Sequence, residues 1–243
     1  MLPFVNKDEN MKRGTGNSYM VRSIYYDTAN YTYFHEKVDG LRDRKKIRIR
    51  GYNDCTPESV VFLEIKRKKD RKVWKYRAPV RYADLPELLR TGDCERYVLN
   101  ARPDAVEEGC RFFYHMRRYG LQPTVLVVYK REAFHGKYDP TFRLTFDQDL
   151  RGLVHPAVNQ LFDEDRLRFV EPRLFVMEVK FHDVYPSWMR KIVNDLELQQ
   201  KAFSKYISCI TTQLEITPQS RQVPRFRTWD APCQPCFYSG GQY

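Results

Sequence analysis

Arg44-Lys45-Lys46-Ile47-Arg48-Ile49-Arg50, followed by Phe62-Leu63-Glu64-Ile65-Lys66-Arg67-Lys68, is the stretch on which the reading of this chain turns. At the two-residue period of a strand, Lys46, Arg48 and Arg50 share one face and Ile47 and Ile49 the other. The second run repeats the scheme, with Glu64, Lys66 and Lys68 opposed to Leu63 and Ile65. Between them, Gly51-Tyr52-Asn53-Asp54 and Thr56-Pro57-Glu58 predict a turn-rich hairpin connection. The product is a β-ribbon with an apolar face and a cationic face carrying one carboxylate. A half-buried strand needs only polar residues on its wet side, so the surplus of cations predicts a polyanionic partner.

The rest of the composition agrees. The chain has 243 residues, enough for one sizeable core, and its 14% aromatic content argues against disorder. A net charge of +11 favours an anion as partner: nucleic acid, polyphosphate, nucleotide or an acidic membrane surface. No apolar run approaches the roughly 20 residues that span a bilayer, and Met1 to Asp8 lacks the apolar core of a signal peptide. The six cysteines, at 55, 94, 110, 209, 233 and 236, form no paired framework, which predicts a reducing compartment and a cytoplasmic location. Cys233-Gln-Pro-Cys236 has the CxxC spacing but no second pair or nearby His, and reads as part of a solvated tail.

In chain order, residues 1–18 read as an irregular lead-in and Tyr19 to Tyr26 as the first strand. A short helical turn over Asn30 to Lys37 precedes the cationic ribbon. Lys72 to Arg77 alternates again, with Lys75 and Arg77 opposed to Trp74 and Tyr76. Helical periodicity takes over between Asp84 and Tyr119, where Val106, Cys110, Phe113 and Arg117 lie along one face before Gly120 and Pro123 stop it. Strands return at Thr124–Arg131, at Arg143–Asp147 and at Leu174–Lys180, the last with Glu178 and Lys180 on one face. A second amphipathic helix fits Pro186 to about Leu198, and a helix end is expected at Ala202-Phe203, just before Ser204-Lys205-Tyr206. The domain runs over 19–216, and the Pro-, Gln-, Arg- and Ser-rich stretch 217–243 reads as a mobile tail.

Six strands with one apolar and one charged face, and two helices with apolar stripes, predict an α+β fold. Its core would be a curved antiparallel sheet or closed barrel, with helices on the apolar outside and charges turned inward. Inside, Arg48, Arg50, Lys66, Lys68, Arg131 and Arg143 outnumber Glu64, Glu178 and Asp147. Such an imbalance is costly unless an anion of several charges binds, and a triphosphate suits guanidinium forks and lysine point charges. Mg²⁺ or Mn²⁺ binds through one or two carboxylates plus substrate phosphates, which makes Glu178 and Glu64 the candidate ligands. Glu64 also reads as an ordinary ion-pair partner of Lys66, and Glu178 as an ordinary edge charge. No P-loop, kinase glycine loop or Ser-His-Asp context is present, and the five histidines lack metal-ligand spacing.

Ser23-Ile24-Tyr25-Tyr26-Asp27-Thr28, Glu36-Lys37-Val38-Asp39-Gly40, Lys46-Ile47-Arg48-Ile49-Arg50, Phe62-Leu63-Glu64-Ile65-Lys66-Arg67-Lys68, Tyr129-Lys130-Arg131-Glu132-Ala133-Phe134, Met177-Glu178-Val179-Lys180 and Phe203-Ser204-Lys205-Tyr206 occur in that order. Together they resemble the VTC domain, the polyphosphate polymerase domain of the vacuolar transporter chaperone family, in its stand-alone prokaryotic form. The resemblance covers 19–210. It implies a triphosphate tunnel metalloenzyme fold, related to CYTH domains, in which Arg48, Arg50, Lys66, Arg131, Arg143 and Lys205 grip the triphosphate. It further implies metal binding at Glu178 and phosphate contacts at Tyr129 and Ser204. Lys68 and Lys180 join the phosphate-binding candidates through the faces they share with these residues.

The family's N-terminal strand, with its Arg-Tyr-Glu-x-Lys pattern, has no counterpart before Val21; a misassigned start, a fragment of a longer protein and a tunnel one strand short are the three expectations this leaves. The expected function is metal-dependent transfer of phosphoryl groups from a nucleoside triphosphate, ATP first, to polyphosphate. Triphosphate hydrolysis in the same tunnel and non-catalytic binding of polyphosphate or nucleotide are the alternatives. No specific nucleic acid is expected; a membrane partner is compatible with the chain.

Overall fold

The computed structural model describes residues 2–9, 11, 17–100, 102–182, 184–214 and 236–239. Its strands are β1 (Val5–Lys7), β2 (Tyr19–Asp27), β3 (Asp43–Tyr52), β4 (Val60–Lys69), β5 (Lys72–Arg81), β6 (Gln122–Gly136), β7 (Arg143–Val154), β8 (Arg168–Phe169), β9 (Val176–Lys180), β10 (Gln199–Gln200) and β11 (Cys236–Ser239). The helices are α1 (Thr32–Val38), α2 (Leu85–Thr91), α3 (Cys94–Tyr97), α4 (Ala105–Tyr119), α5 (Ser187–Asp195) and α6 (Lys205–Leu214). All strands join one sheet in the order β10-β11-β9-β7-β6-β2-β3-β4-β5, with β1 added to β6 and β8 to β7. Pairing is antiparallel except where β11 runs parallel to β9 and β10.

The fold is therefore α+β around a large, mainly antiparallel sheet. Among the described residues its strand pairing does not close into the barrel that the pattern left open, since β5 and β10 stand at its ends. Curvature, rather than closure, brings β4 and β9 to face each other across a common cavity.

The alternation set this geometry. Ile47 and Ile49 of β3 pair with Ile65 and Leu63 of β4, and all four are buried on the convex side with Ile24, Val61 and Val80. Helices α2 to α4 cover them through Leu85, Leu88, Phe112 and Phe113. Each fully buried aliphatic side chain there contributes roughly 1.5–3 kcal/mol by transfer from water. At the other half of the sheet, Leu144, Met177 and Val179 lie under Met189 and Trp188 of α5. Gly120 ends α4 in the left-handed conformation (φ 57°), as its position after the periodic stretch predicts. Pro123 sits in β6 opposite Tyr26, where the β2–β6 register shifts, so its missing N–H falls at an irregularity.

The concave side departs from the expectation of charge throughout. Val21, Val125, Val127 and Tyr129 face inward and are covered by Phe34 of α1 and by Tyr206, Cys209 and Ile210 of α6. A Cβ on Gly152 of β7 would stand 2.7 Å from Gln213 Nε2 and 3.1 Å from Cys209, so glycine lets α6 lie this close without a shift of either side chain. Helix α6 starts at Lys205, where the sequence pointed instead to a helix ending at Phe203; Ala202 and Phe203 are not helical.

The lead-in is not irregular throughout either. Strand β1 pairs Val5 with Gly136, and Asp8, next in the chain, is buried beside His135 and Arg143. Of the expected tail, residues 217–235 and 240–243 lie outside the described residues, Cys233 of the CxxC with them. Cys236–Ser239 forms β11. No described helix is long and apolar enough to cross a membrane.

Candidate functional site

A concave cavity of about 290 Å³ opens between β3 and β4 on one side and β6, β9 and the start of α6 on the other. Eleven of its seventeen lining residues are Lys or Arg, and Glu178 is the one acidic residue among them. The cations include Arg48, Arg50, Lys66, Lys68, Arg131, Lys180 and Lys205; Tyr129 and Ser204 complete the expected set there.

The register explains how they converge. Arg48 of β3 stands between Tyr25 of β2 and Glu64 of β4, donating from Nη1 to the Tyr25 hydroxyl at 2.8 Å and from Nε to Glu64 Oε2 at 2.6 Å. Arg50 Nε donates to Ser23 Oγ at 3.1 Å and lies 3.7 Å from the same Glu64 oxygen. Arg77 of β5 reaches Glu64 Oε1 at 3.2 Å while its guanidinium lies over the Phe62 ring at 3.5 Å. Burial alone would raise the Glu64 carboxyl, but Arg48, Arg50 and Arg77 prevail and hold it at about 2.

A second buried acid organises the opposite wall. Asp147 of β7, 1% exposed, accepts two bonds from Arg131 at 2.6 and 2.7 Å and an ion pair from Lys205 at 2.6 Å. Burial opposes its charge, yet Lys205 and Arg131 keep the carboxyl at about 2. Both cations flank the Tyr129 ring, at 5.2 Å for Arg131 and 4.8 Å for Lys205. Neither Glu64 nor Asp147 lines the cavity; they stand behind the cations and fix their direction.

Lys205 is placed by its neighbour. Tyr206 stacks on Tyr25 with centroids 5.0 Å apart and donates its hydroxyl to Asp27 Oδ2 at 2.5 Å. Asp27 also accepts from the backbone N–H groups of Tyr33 and Phe34, each at 2.9 Å, so one buried carboxylate ties β2, α1 and α6 together. This accounts for the paired appearance of Tyr25-Tyr26-Asp27-Thr28 and Phe203-Ser204-Lys205-Tyr206 in the sequence.

Arg143 differs from its expected place. It lies on the same sheet face as Glu178 and Lys180 but not among the cavity-lining residues, and its Nη2 stands 3.1 Å from Asp8 Oδ2. The two candidate metal ligands also separate. Glu178 faces the cavity, with Lys180 Nζ 3.2 Å from Oε1; burial would raise its carboxyl, but Lys180, Lys205 and Arg131 lower it on balance. Glu64 has its oxygens engaged by three guanidinium groups, an environment that does not suit a cation. Among the described residues no three His, Cys, Asp or Glu side chains gather into a metal-binding group. A divalent ion here fits only the mode in which one carboxylate, Glu178, is supplemented by phosphates and water.

Tyr25 and Lys46 line the cavity without having been singled out. Lys46 had the same strand parity as Arg48, a signal present in the sequence; it donates to Ser204 Oγ at 3.3 Å. Burial, with Arg48 and Lys66 beside it, lowers the Lys46 ammonium to about 8. Burial would raise the Tyr25 phenol, but Arg48, Lys46 and Arg50 bring it down to about 8.

A family model described as the VTC domain matches residues 2–213. The chain belongs to the VTC domain family. Vacuolar transporter chaperone complex subunit 4 of Schizosaccharomyces pombe is 27% identical over 232 residues, covering 79% of this chain. The subunit of the same name from Trypanosoma brucei brucei is 25% identical over 240 residues, covering 84%. This VTC domain spans 31% and 30% of those two proteins. A solved structure of the PH1819 protein from Pyrococcus horikoshii OT3 aligns with TM-score 0.30 and 12% identity over 79% of this chain and 97% of that one. The match to the VTC model from residue 2 takes in β1, whose three residues carry no Arg-Tyr-Glu pattern.

Proposed function

We propose that this VTC domain binds the triphosphate of a nucleoside triphosphate, ATP in the first instance, and transfers its terminal phosphoryl group to a polyphosphate chain. The observation that carries the reading is the charge of the cavity: eleven cations face one carboxylate, and both backing acids are already spent on orienting arginines. Only a ligand with several negative charges balances such a wall.

In the proposed reaction an anionic oxygen at the end of the polyphosphate chain bonds to the γ-phosphorus as the bond to the β–γ bridging oxygen breaks. The bond electrons leave with the nucleoside diphosphate. No proton needs to be removed from the acceptor, which agrees with a cavity lined by no His and no second acid. Arg48, Arg50 and Arg131 present forks held by Glu64, Ser23 and Asp147, so they hold phosphate oxygens in line at little reorganisation cost. Lys66, Lys68, Lys180 and Lys205 add point charge, and the Tyr129 and Ser204 hydroxyls stand where they can donate to phosphate. Mg²⁺ or Mn²⁺, when bound beside Glu178, would neutralise charge on the phosphates.

Incubation with γ-labelled ATP and Mn²⁺, with products resolved on a gel, tests this. A ladder of long chains is expected from the wild type and its loss from Glu178→Gln, with metal-free tripolyphosphate binding retained in the variant. Labelled phosphate alone would convert the reading to a triphosphatase, and no turnover with intact binding would leave a polyanion-binding module.

A further inference from the structure

Two free thiols meet on the convex side of the sheet, outside the cavity. Cys94 opens α3 and is buried; Cys110 lies on α4 and is exposed. Gly109 sets them side by side. A Cβ there would stand 2.8 Å from Val98 Cγ2 and 3.4 Å from Cys94 Sγ, so α4 rests directly on α3 at the residue before Cys110. The Cys94 thiol donates to Cys110 Sγ. Burial, then Cys110 and Asp93, push the Cys94 thiol up, with Arg117 opposing them.

Packing accounts for one member of the pair. A buried cysteine behaves as a small apolar side chain and needs no chemistry to explain it. Cys110 instead opens onto a surface hollow of about 660 Å³, lined also by Gly92, Phe113, Tyr114, Arg117 and Arg118. Two guanidinium groups and no acid in that lining favour an anion beside the thiol. Cys55, the other exposed free cysteine among the described residues, lines neither this hollow nor the cavity.

We infer that Cys94 and Cys110 form a reversible dithiol–disulfide pair, in which Cys110 reacts first with a small anionic disulfide drawn to Arg117 and Arg118. The Cys110 thiolate attacks one sulfur of that disulfide, the S–S bond breaks, and one thiolate leaves. A mixed disulfide remains on Cys110. The Cys94 thiolate then attacks Cys110 Sγ and expels the second thiolate. Two electrons pass from the protein thiols to the small disulfide, and the two protons lost by the protein go through water to the released thiols. Burial keeps Cys94 protonated, so the second step is the slower one and the mixed disulfide accumulates before it. Under reducing conditions the bond is transient, because excess thiol reverses both steps.

The test incubates the full chain with glutathione disulfide, quenches with an alkylating reagent and maps the cysteines by mass spectrometry, in wild type, Cys94→Ala and Cys110→Ser. The wild type should pass through glutathione on Cys110 to a Cys94–Cys110 bond. Cys94→Ala should stop at glutathione on Cys110, and Cys110→Ser should leave Cys94 unmodified. Glutathione disulfide should modify Cys110 roughly tenfold faster than Cys55, and this preference should shrink with the neutral hydroxyethyl disulfide, which the two arginines do not attract. Cys94 still open to alkylation after Cys110 is consumed, or Cys110 joined to a different cysteine, overturns the pair. Modification of Cys94 in Cys110→Ser overturns the order of reaction, and equal preference for the two reagents overturns the anion-selecting hollow. The wild-type map decides the pairing by itself, so it stands even where Cys94→Ala fails to fold.

Discussion

Glu64→Gln separates the two roles open to a carboxylate beside this cavity, backing its arginines or holding a metal. The side chain is 14% exposed and bonded or ion-paired to Arg48, Arg50 and Arg77. Its carboxyl falls from an ordinary 4.5 to about 2: burial pushes the other way, and the three arginines outweigh it. At about 1.4 kcal/mol per tenfold change, the ionised carboxylate contributes roughly 3 kcal/mol to the folded state. Because the folded value is the lower one, that contribution is complete above pH 4.5 and is lost as the pH falls towards 2. Glutamine keeps the shape but leaves three guanidinium groups facing one another. Urea unfolding should therefore show Glu64→Gln roughly 3 kcal/mol less stable at pH 7, with the gap to wild type closing between about pH 4.5 and 2. Tripolyphosphate should raise the variant's Tm more than the wild type's, since the ligand replaces the missing charge. A loss below about 1 kcal/mol, the scale of an exposed pair, would refute the reasoning. So would a loss of metal dependence in Glu64→Gln with Glu178→Gln unaffected.

Other perturbations follow from the same geometry. Arg48→Ala should weaken tripolyphosphate binding by roughly 1–3 kcal/mol in calorimetry, as for a charge-assisted bond. Tripolyphosphate affinity should fall as pH rises through about 8, because Lys46 loses its charge and Tyr25 gains one there; a flat profile between pH 7 and 9 would count against both assignments. Tyr206→Phe removes the donor to Asp27 and should cost roughly 1–3 kcal/mol in urea unfolding by leaving a buried acceptor short of a partner, with ligand affinity falling as Lys205 loses its support.

The faces of the sheet were legible because strand period follows from covalent geometry: Ile47 and Ile49 go one way and Arg48 and Arg50 the other whatever their partners. Which residues meet across strands was not, because register is a tertiary property. Tyr25 has the look of any strand aromatic until Arg48 is placed opposite it. Glu64 and Glu178 read alike, on cationic faces near lysines; only the neighbouring arginines make one a backing acid and leave the other facing the cavity. Arg143 shared the right parity but lies where Asp8, from the unreadable lead-in, engages it. A three-residue strand such as β1 is too short to show a period. Helix α6 was hidden by Ile207, Ile210, Thr211 and Thr212, whose β-branched side chains favour strands. Burial of Tyr206, Cys209 and Ile210 on one helical face outweighs that preference.

The two kinds of cation in the cavity are held differently, and the difference bears on what each can do. Arg48, Arg50 and Arg131 are bonded to Glu64, Ser23 and Asp147. A guanidinium fixed in this way offers a directed pair of donors and suits a phosphate that must stay in line during transfer. Lys46, Lys66 and Lys68 form no ion pair among the described residues, and each carries its charge on a flexible stem. Unanchored ammonium groups attract phosphate without imposing one orientation, which under the proposed function would suit a polymer that advances by one unit after every transfer. A row of backed arginines in their place would bind any one register too well to let the chain move. Lys205, alone among the lining lysines in pairing with a fully buried acid among the described residues, belongs by this criterion with the arginines that the proposed transfer would use.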